Sequence, residues 1–322
     1  MGNQVLFDLF PKDLLFMILN HIDDIRTYPL LFVSKEINLH IQNKQIIYDH
    51  VDFIGKVAVA GNLNLMRWIT ETGCDAYLDA NICELAALNG HFEILKWAKQ
   101  NGCKWNHFTS TAAALNGHFE ILKWLKANGC KFDNSVCESA AKNGHFEILK
   151  WCKQNGCELS HFVCAYAAAN SHFEILKWAH QNGCELSYDV CSNAASNGHF
   201  EILKWAKQNR CEWSELTCAL ASKNGHFEIL KWAHQNGCKW DSWTSALAAS
   251  NGHLEILKWV KANGCDCDEW VCAYAATNNH FEIIKWARAN GVPWNKYTYQ
   301  NAMENFHFEI ADWARENGCP MP

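Results

Sequence analysis

The chain has 322 residues, of which 49% are hydrophobic and 19% charged, and its net charge is −6. That apolar fraction supports a buried core and excludes a disordered chain. The acidic balance excludes a typical nucleic-acid binder, which needs basic side chains against phosphate, and no run approaches the ~18 consecutive apolar residues of a membrane span.

The opening residues, MGNQVLFDLFPKDLL, lack both a basic start and an unbroken apolar core, so no signal peptide is expected. Leu6 stands where the myristoylation pattern after Gly2 needs Ser or Thr. Pro11 is placed to open a helix carrying Leu14, Leu15, Ile18, Leu19 and Ile22 at three- and four-residue steps. So short a segment cannot bury these groups by itself. It either docks on a partner or caps the rest of the chain, since the ends of repeat arrays need shielding.

From about residue 46 the text becomes periodic. Trp97, Trp124, Trp151, Trp178, Trp205, Trp232, Trp259, Trp286 and Trp313 are each 27 residues apart, and His91 to His307 keep the same step. There are about ten units, the first of them degenerate, and the shared text reads NGHFEILKWAKQNGC at 89–103. Each unit is expected to form two helices. The first opens on an N-cap residue: Asp79, Asn106, Asp133, Ser160, Ser187, Ser214, Asp241, Asp268 or Asn295. An apolar residue before the cap (Trp105, Phe132, Trp213) and a Cys four after it (Cys137, Cys218) read as a hydrophobic staple. Ala-Ala pairs such as Ala140-Ala141 then mark close packing between units. The second helix starts at Gly-His and carries an apolar stripe, Phe92, Ile94, Leu95, Trp97 and Ala98 in the first full copy. Glu93 and Lys96 are spaced to pair on its outer side, and Asn101-Gly102 ends it. Where Arg210 replaces that Gly, Asn209 is expected to take the left-handed position.

Ala-Ala-x-Asn-Gly-His-x-Glu-Ile followed by Asn-Gly-Cys resembles the second half of the ankyrin repeat. The unit is six residues shorter than that family's ~33, at the place of its β-hairpin finger. The resemblance implies an all-α, ankyrin-like solenoid of about ten stacked helix pairs over 46–322, with little or no β-structure. The Trp-rich 27-residue wording is similar to that of repeat proteins from giant viruses of amoebae. Within residues 1–45, Leu9-Phe10-Pro11-Lys12-Asp13-Leu14-Leu15, Ile18-Leu19, Ile22 and Val33-Ser34-Lys35 resemble an F-box, with Ile37 where that family often has an aromatic. That resemblance implies docking on the Skp-type linker of a cullin–RING ubiquitin ligase through Phe10, Pro11, Leu14, Leu15, Ile18, Leu19, Ile22 and Val33.

The candidate chemistry is sparse. The nine periodic histidines lie on different units, about 10 Å apart, too far to share one zinc at about 2 Å. They read instead as helix-start residues bonded to backbone. Nearly all of the seventeen cysteines recur at two repeat positions, which reads as two structural roles in a reducing, cytoplasmic or nuclear compartment, the host's if the chain is viral. Cys265 and Cys267 form a Cys-x-Cys with no second pair at zinc-finger spacing, and no phosphate loop, nucleophile elbow or HExxH occurs. No metal, cofactor or catalytic activity is expected. The Trp row, at helical spacing in an apolar stripe, reads as packing.

Positions two, six and nine after each cap vary while the frame stays fixed, and they share one face of the first helix. The aromatic ones are Phe108, Phe162, Tyr166, Trp243, Trp270, Tyr274 and Tyr297, which the ankyrin resemblance places on a concave side. Exposed aromatics are enriched in binding hot spots. The reading is a monomeric adaptor that holds a protein substrate on this face and recruits a ligase through residues 1–45. Two alternatives stand beside it: an ankyrin scaffold or decoy with no ligase link, and neutral drift at the variable face.

Overall fold

The computed structural model describes residues 47–69 and 80–322. The ligase-linker positions Phe10, Pro11, Leu14, Leu15, Ile18, Leu19, Ile22 and Val33 lie outside them, as does the Asp79 cap. No strand occurs among the described residues, and none of their helices is long and apolar enough to cross a membrane. The chain forms two compact units, Met1–Glu158 and Leu159–Pro322.

Unit 1 contains helix pairs α1 (Ile47–Ala60) and α2 (Leu63–Ile69), α3 (Ala80–Leu88) and α4 (Phe92–Gln100), α5 (His107–Leu115) and α6 (Phe119–Ala127), α7 (Asn134–Lys142) and α8 (Phe146–Gln154). Unit 2 begins with α9 (His161–Ala169) and α10 (Phe173–Gln181), α11 (Tyr188–Ser196) and α12 (Phe200–Gln208), α13 (Glu215–Lys223) and α14 (Phe227–Gln235). It ends with α15 (Ser242–Ser250) and α16 (Leu254–Ala262), α17 (Trp270–Thr277) and α18 (Phe281–Ala289), α19 (Lys296–Glu304) and α20 (Phe308–Glu316). Each unit is an ankyrin-like stack of these pairs.

Within each unit the first helices carry the tight contacts between successive pairs. Their small residues explain this: Ala113, Ala140, Ala141, Ala194, Ala195 and Ala248 are fully buried. A short Cβ lets backbones approach where a larger side chain would hold them apart. The second helices contribute the bulk. Leu122, Leu149, Leu203, Leu230 and Leu257 are completely buried, and each such side chain stabilises by about 1.5–3 kcal/mol.

From Trp97 to Trp313, each second-helix Trp is half-buried or nearly buried. Trp124 meets Phe92 of the preceding pair edge-on at 5.6 Å and Trp105 of its own pair at 5.4 Å. Trp259 meets Phe227 at 5.7 Å and Trp240 at 5.6 Å. Such geometry aligns ring edges with ring faces and adds to area burial. The aromatic before the cap therefore closes on the second-helix Trp. The Cys four after the cap turns to the Cys that comes after the second helix, and Cys83 Sγ lies 3.0 Å from Cys103 Sγ.

The caps divide by chemistry. Asn106 accepts from the Thr109 N–H at 3.3 Å, and Asp133 accepts from the Ser135 N–H at 3.0 Å. Ser160, Ser187 and Ser214 make no side-chain cap bond. Ser187 donates to its neighbour Asp189 instead, and the Ser214 hydroxyl is buried without a partner. The planar Asx group reaches the amide where the shorter hydroxyl does not.

Helices of both kinds end in a left-handed residue, a glycine except at Ser171, Arg210, Asn279 and Phe306 among the described residues, within a Schellman-type turn. At the end of α4, Cys103 N–H donates to Ala98 O at 3.0 Å and Gly102 N–H to Lys99 O at 3.2 Å. Arg210 adopts φ +63 itself, while Asn209 keeps φ −92. The strained position thus belongs to Arg210, because the Arg210 N–H must reach Lys207 O, at 3.1 Å, for the motif to close.

The expected Glu–Lys pairs form on the outer side, as Glu93–Lys96 at 2.8 Å and Glu201–Lys204 at 2.9 Å. The same lysines lie over phenylalanine rings, Lys204 Nζ being 4.1 Å from the Phe200 centroid.

Candidate partner-binding surface

The aromatic row of unit 2 is built from the helix caps outward. Asp241 Oδ1 accepts from the Trp243 N–H at 3.1 Å, Asp268 Oδ1 from the Trp270 N–H at 3.1 Å, and Asn295 Oδ1 from the Tyr297 N–H at 3.0 Å. The residue held by each cap is the exposed aromatic. A side chain two after the cap projects from the first turn, before the helix meets its neighbours, so it stays in solvent while Thr244 and Thr298 beside it are buried.

These rings are not scattered. Trp270 stacks on Tyr297 with centroids 5.6 Å apart and planes 16° apart. Tyr274, one turn after Trp270, stacks on it at 5.5 Å and reaches Trp243 at 6.1 Å. The result is a run of four rings from three successive first helices, α15, α17 and α19. Trp243 remains 53% exposed, and Trp270 and Tyr297 39% each. Between Trp243 and Trp270 is a recess of about 120 Å³, lined also by Ser242, Ala246 and Asp268. Pockets for drug-sized ligands run to ~300–1,000 Å³, so this one has room for a single side chain. Earlier in unit 2, Phe162 and Tyr166 repeat the same one-turn stack at 6.0 Å.

Phe108 belongs to unit 1, where it is 51% exposed beside the His107 ring. Sequence reasoning missed Tyr188, which is one residue after its cap and as exposed as Phe108. It also missed Phe306, which occupies a Gly position at φ +62 and is the most exposed large apolar residue described. The signal for Phe306 was legible: Phe stands where the frame has the Gly of Gly-His.

The periodic histidines serve the frame. In His91, His118, His145, His199, His226, His253 and His307 the Nε2–H donates to a carbonyl at the end of the preceding first helix, as from His118 to Leu88 O at 3.0 Å, His145 to Leu115 O at 3.0 Å and His226 to Ser196 O at 3.1 Å. A carbonyl only accepts, so Nε2 carries the proton.

The sulfurs are mostly buried thiols. Burial pushes Cys272 up to about 12, and burial with the neighbouring Cys267 does the same to Cys265. Among the described residues, Cys137, Cys152 and Cys157 form a group whose sulfurs all lie within 4.8 Å of one another. Its spacing, fourteen residues and then four between ligands, matches no short zinc pattern, which is why a search for motifs passes over it.

No family model and no curated protein matches the chain. Among solved structures it is similar to the crystal structure of the human ASB11 ankyrin repeat domain. The identity is 18%, the match covers 49% of this chain and 84% of that one, and the TM-score is 0.42.

Proposed function

We propose that this chain is a non-catalytic protein-interaction adaptor, and that the aromatic row of unit 2 holds its partner. The observation that carries this is the stacked, solvent-facing run Trp243, Tyr274, Trp270 and Tyr297, which the core does not use. Rigid aromatics bury large area at low entropic cost on binding. The recess between Trp243 and Trp270 admits one apolar side chain of a partner, and too little else for a substrate pocket.

The resemblance of residues 9–35 to an F-box supports a finer reading, in which that segment binds the Skp-type linker of a cullin–RING ligase. The protein would then raise the concentration of a bound substrate near the ligase and leave the chemistry to it. The test is co-purification of the full-length chain with a Skp-type linker, beside a Pro11→Ala/Leu14→Ala/Leu15→Ala variant. Capture by the wild type and loss in the variant, with its helix content intact, supports the ligase adaptor. Absence of capture by both removes the ligase link and leaves a scaffold or decoy. A photo-crosslinking residue at position 243 tests the row itself: no crosslink to any partner that co-purifies would take partner binding away from the row.

A further inference from the structure

The sulfurs of unit 1 contain a feature that the repeat frame does not require. In most pairs the first helix and the segment after the second helix each place one cysteine, as with Cys83 and Cys103, and these meet as packing. Around α7 and α8 the same two positions hold Cys137 and Cys157, and a third sulfur is added at Cys152, where the neighbouring frames have Ala98, Leu125 and Ala179. The Schellman ending of α8 explains why the third sulfur arrives among the others. Cys157 N–H donates to Cys152 O at 3.0 Å and Gly156 N–H to Lys153 O at 3.2 Å. That motif brings the residue after the left-handed glycine onto the residue five before it, and here both are cysteines.

We propose that Cys137, Cys152 and Cys157 form a trithiolate site for a single thiophilic d¹⁰ cation, cuprous copper or zinc. At a metal–sulfur distance of about 2.3 Å, an ion centred among three sulfurs sets them about 4 Å apart. The three sulfurs already lie within 4.8 Å of one another, so closure needs movements below about an ångström. Soft thiolates select such ions over magnesium or calcium. Cys137 and Cys152 are fully buried on two packed helices, and Cys157 is fixed to α8 by backbone bonds, so the set is held in place before the ion arrives. Access exists as well. Cys157 is partly exposed, whereas Cys103, Cys130, Cys184, Cys211, Cys238, Cys265 and Cys319 at the same frame position are buried. The Lys126 ammonium acts on both Cys152 and Cys157 and offsets part of the negative charge of the thiolates. No fourth His, Cys, Asp or Glu joins the group among the described residues. Three ligands suit cuprous copper directly, and zinc would take water at the Cys157 edge.

The test uses the full-length protein, reduced and metal-free, titrated anaerobically with cuprous copper and separately with zinc, each against a chromophoric chelator. Cys152→Ala and Cys184→Ala variants are run in parallel. Ala is the residue of other frames at position 152, so the first variant keeps the fold, which its circular dichroism checks. The expected result is one equivalent of either ion withdrawn from its chelator by the wild type and by Cys184→Ala, and lost in Cys152→Ala. Withdrawal of neither ion, retention of the equivalent in Cys152→Ala, or its loss in Cys184→Ala would overturn the proposal, the last by assigning binding to the ordinary sulfur pairs.

Discussion

The imidazole of His118 occupies the space that a side chain on Gly90 would need: a Cβ built there would lie 2.6 Å from His118 Cε1. Gly90 sits at φ +76 at the end of one first helix, and His118 opens the second helix of the following pair. The ring closes over the glycine and donates to Leu88 O, which ties one pair to the next. The same relationship joins Gly61 to His91, Gly117 to His145 and Gly225 to His253. Asn-Gly-His is therefore a docking device, with its glycine and histidine used on opposite sides of a junction.

This separates two kinds of glycine. Gly90 and Gly102 share the left-handed conformation, but a Cβ at Gly102 meets nothing within 4 Å. Gly102→Ala should cost only the backbone strain, about 1 kcal/mol. Gly90→Ala adds displacement of the His118 ring and should cost about 2–3 kcal/mol. Urea midpoints of the two variants, measured side by side, check the order.

The Arg210 turn yields the opposite sign. A non-glycine residue at φ +63 is strained, and Arg210→Gly should raise stability by roughly 0.5–1 kcal/mol after the added freedom of the unfolded chain is subtracted. A thermal midpoint that fell in this variant would mean that the Arg210 side chain contributes a contact worth more than the strain.

Caps that look alike in sequence should behave differently. Asp133→Ala removes a bond to the Ser135 amide and should cost roughly 0.5–2 kcal/mol. Ser187→Ala removes no cap bond and should change stability far less. Chemical denaturation of both variants separates them, and equal losses would contradict the assignment.

The raised thiols make stability depend on alkaline pH. Cys265 and Cys272 ionise near 9.0 when unconstrained and near 12 when folded. A group whose folded pKa is the higher contributes its full stabilisation below the unfolded value and loses it as pH rises through the folded one. Stability should therefore decline from about pH 9 to about pH 12, and the decline should be shallower in Cys272→Ala. A denaturation series across that range, under reducing conditions, checks the slope.

Much of the frame was legible because 27-residue periodicity exposes each structural role many times over. Helix order, the outer Glu–Lys pairs, the backbone-bonded histidines and the variable face all emerge from comparing copies within one chain. Cap bonding was not legible: Ser and Asx both read as N-caps, and only geometry shows which side chain reaches the amide. The ring contact of the residue before the cap was not legible either. Spacing along one helix cannot show the contact between Trp105 and Trp124, which joins the two helices of a pair. The third sulfur at Cys152 stands where neighbouring frames have Ala or Leu, and its significance depends on how a helix ending folds back. The exposed aromatic row was legible as a face, but the stack of Trp270 on Tyr297 joins two different helices and needs their packing.

Partner binding through that row is the central claim. The direct measurement is the affinity of a partner protein that co-purifies with the full-length chain, compared between the wild type and a Trp243→Ala/Trp270→Ala/Tyr297→Ala variant. All three side chains are exposed, so the variant should keep its melting temperature, and its affinity should fall by at least a hundredfold, about 2.7 kcal/mol or more. Unchanged affinity in a folded variant would contradict the claim and move partner binding off this face.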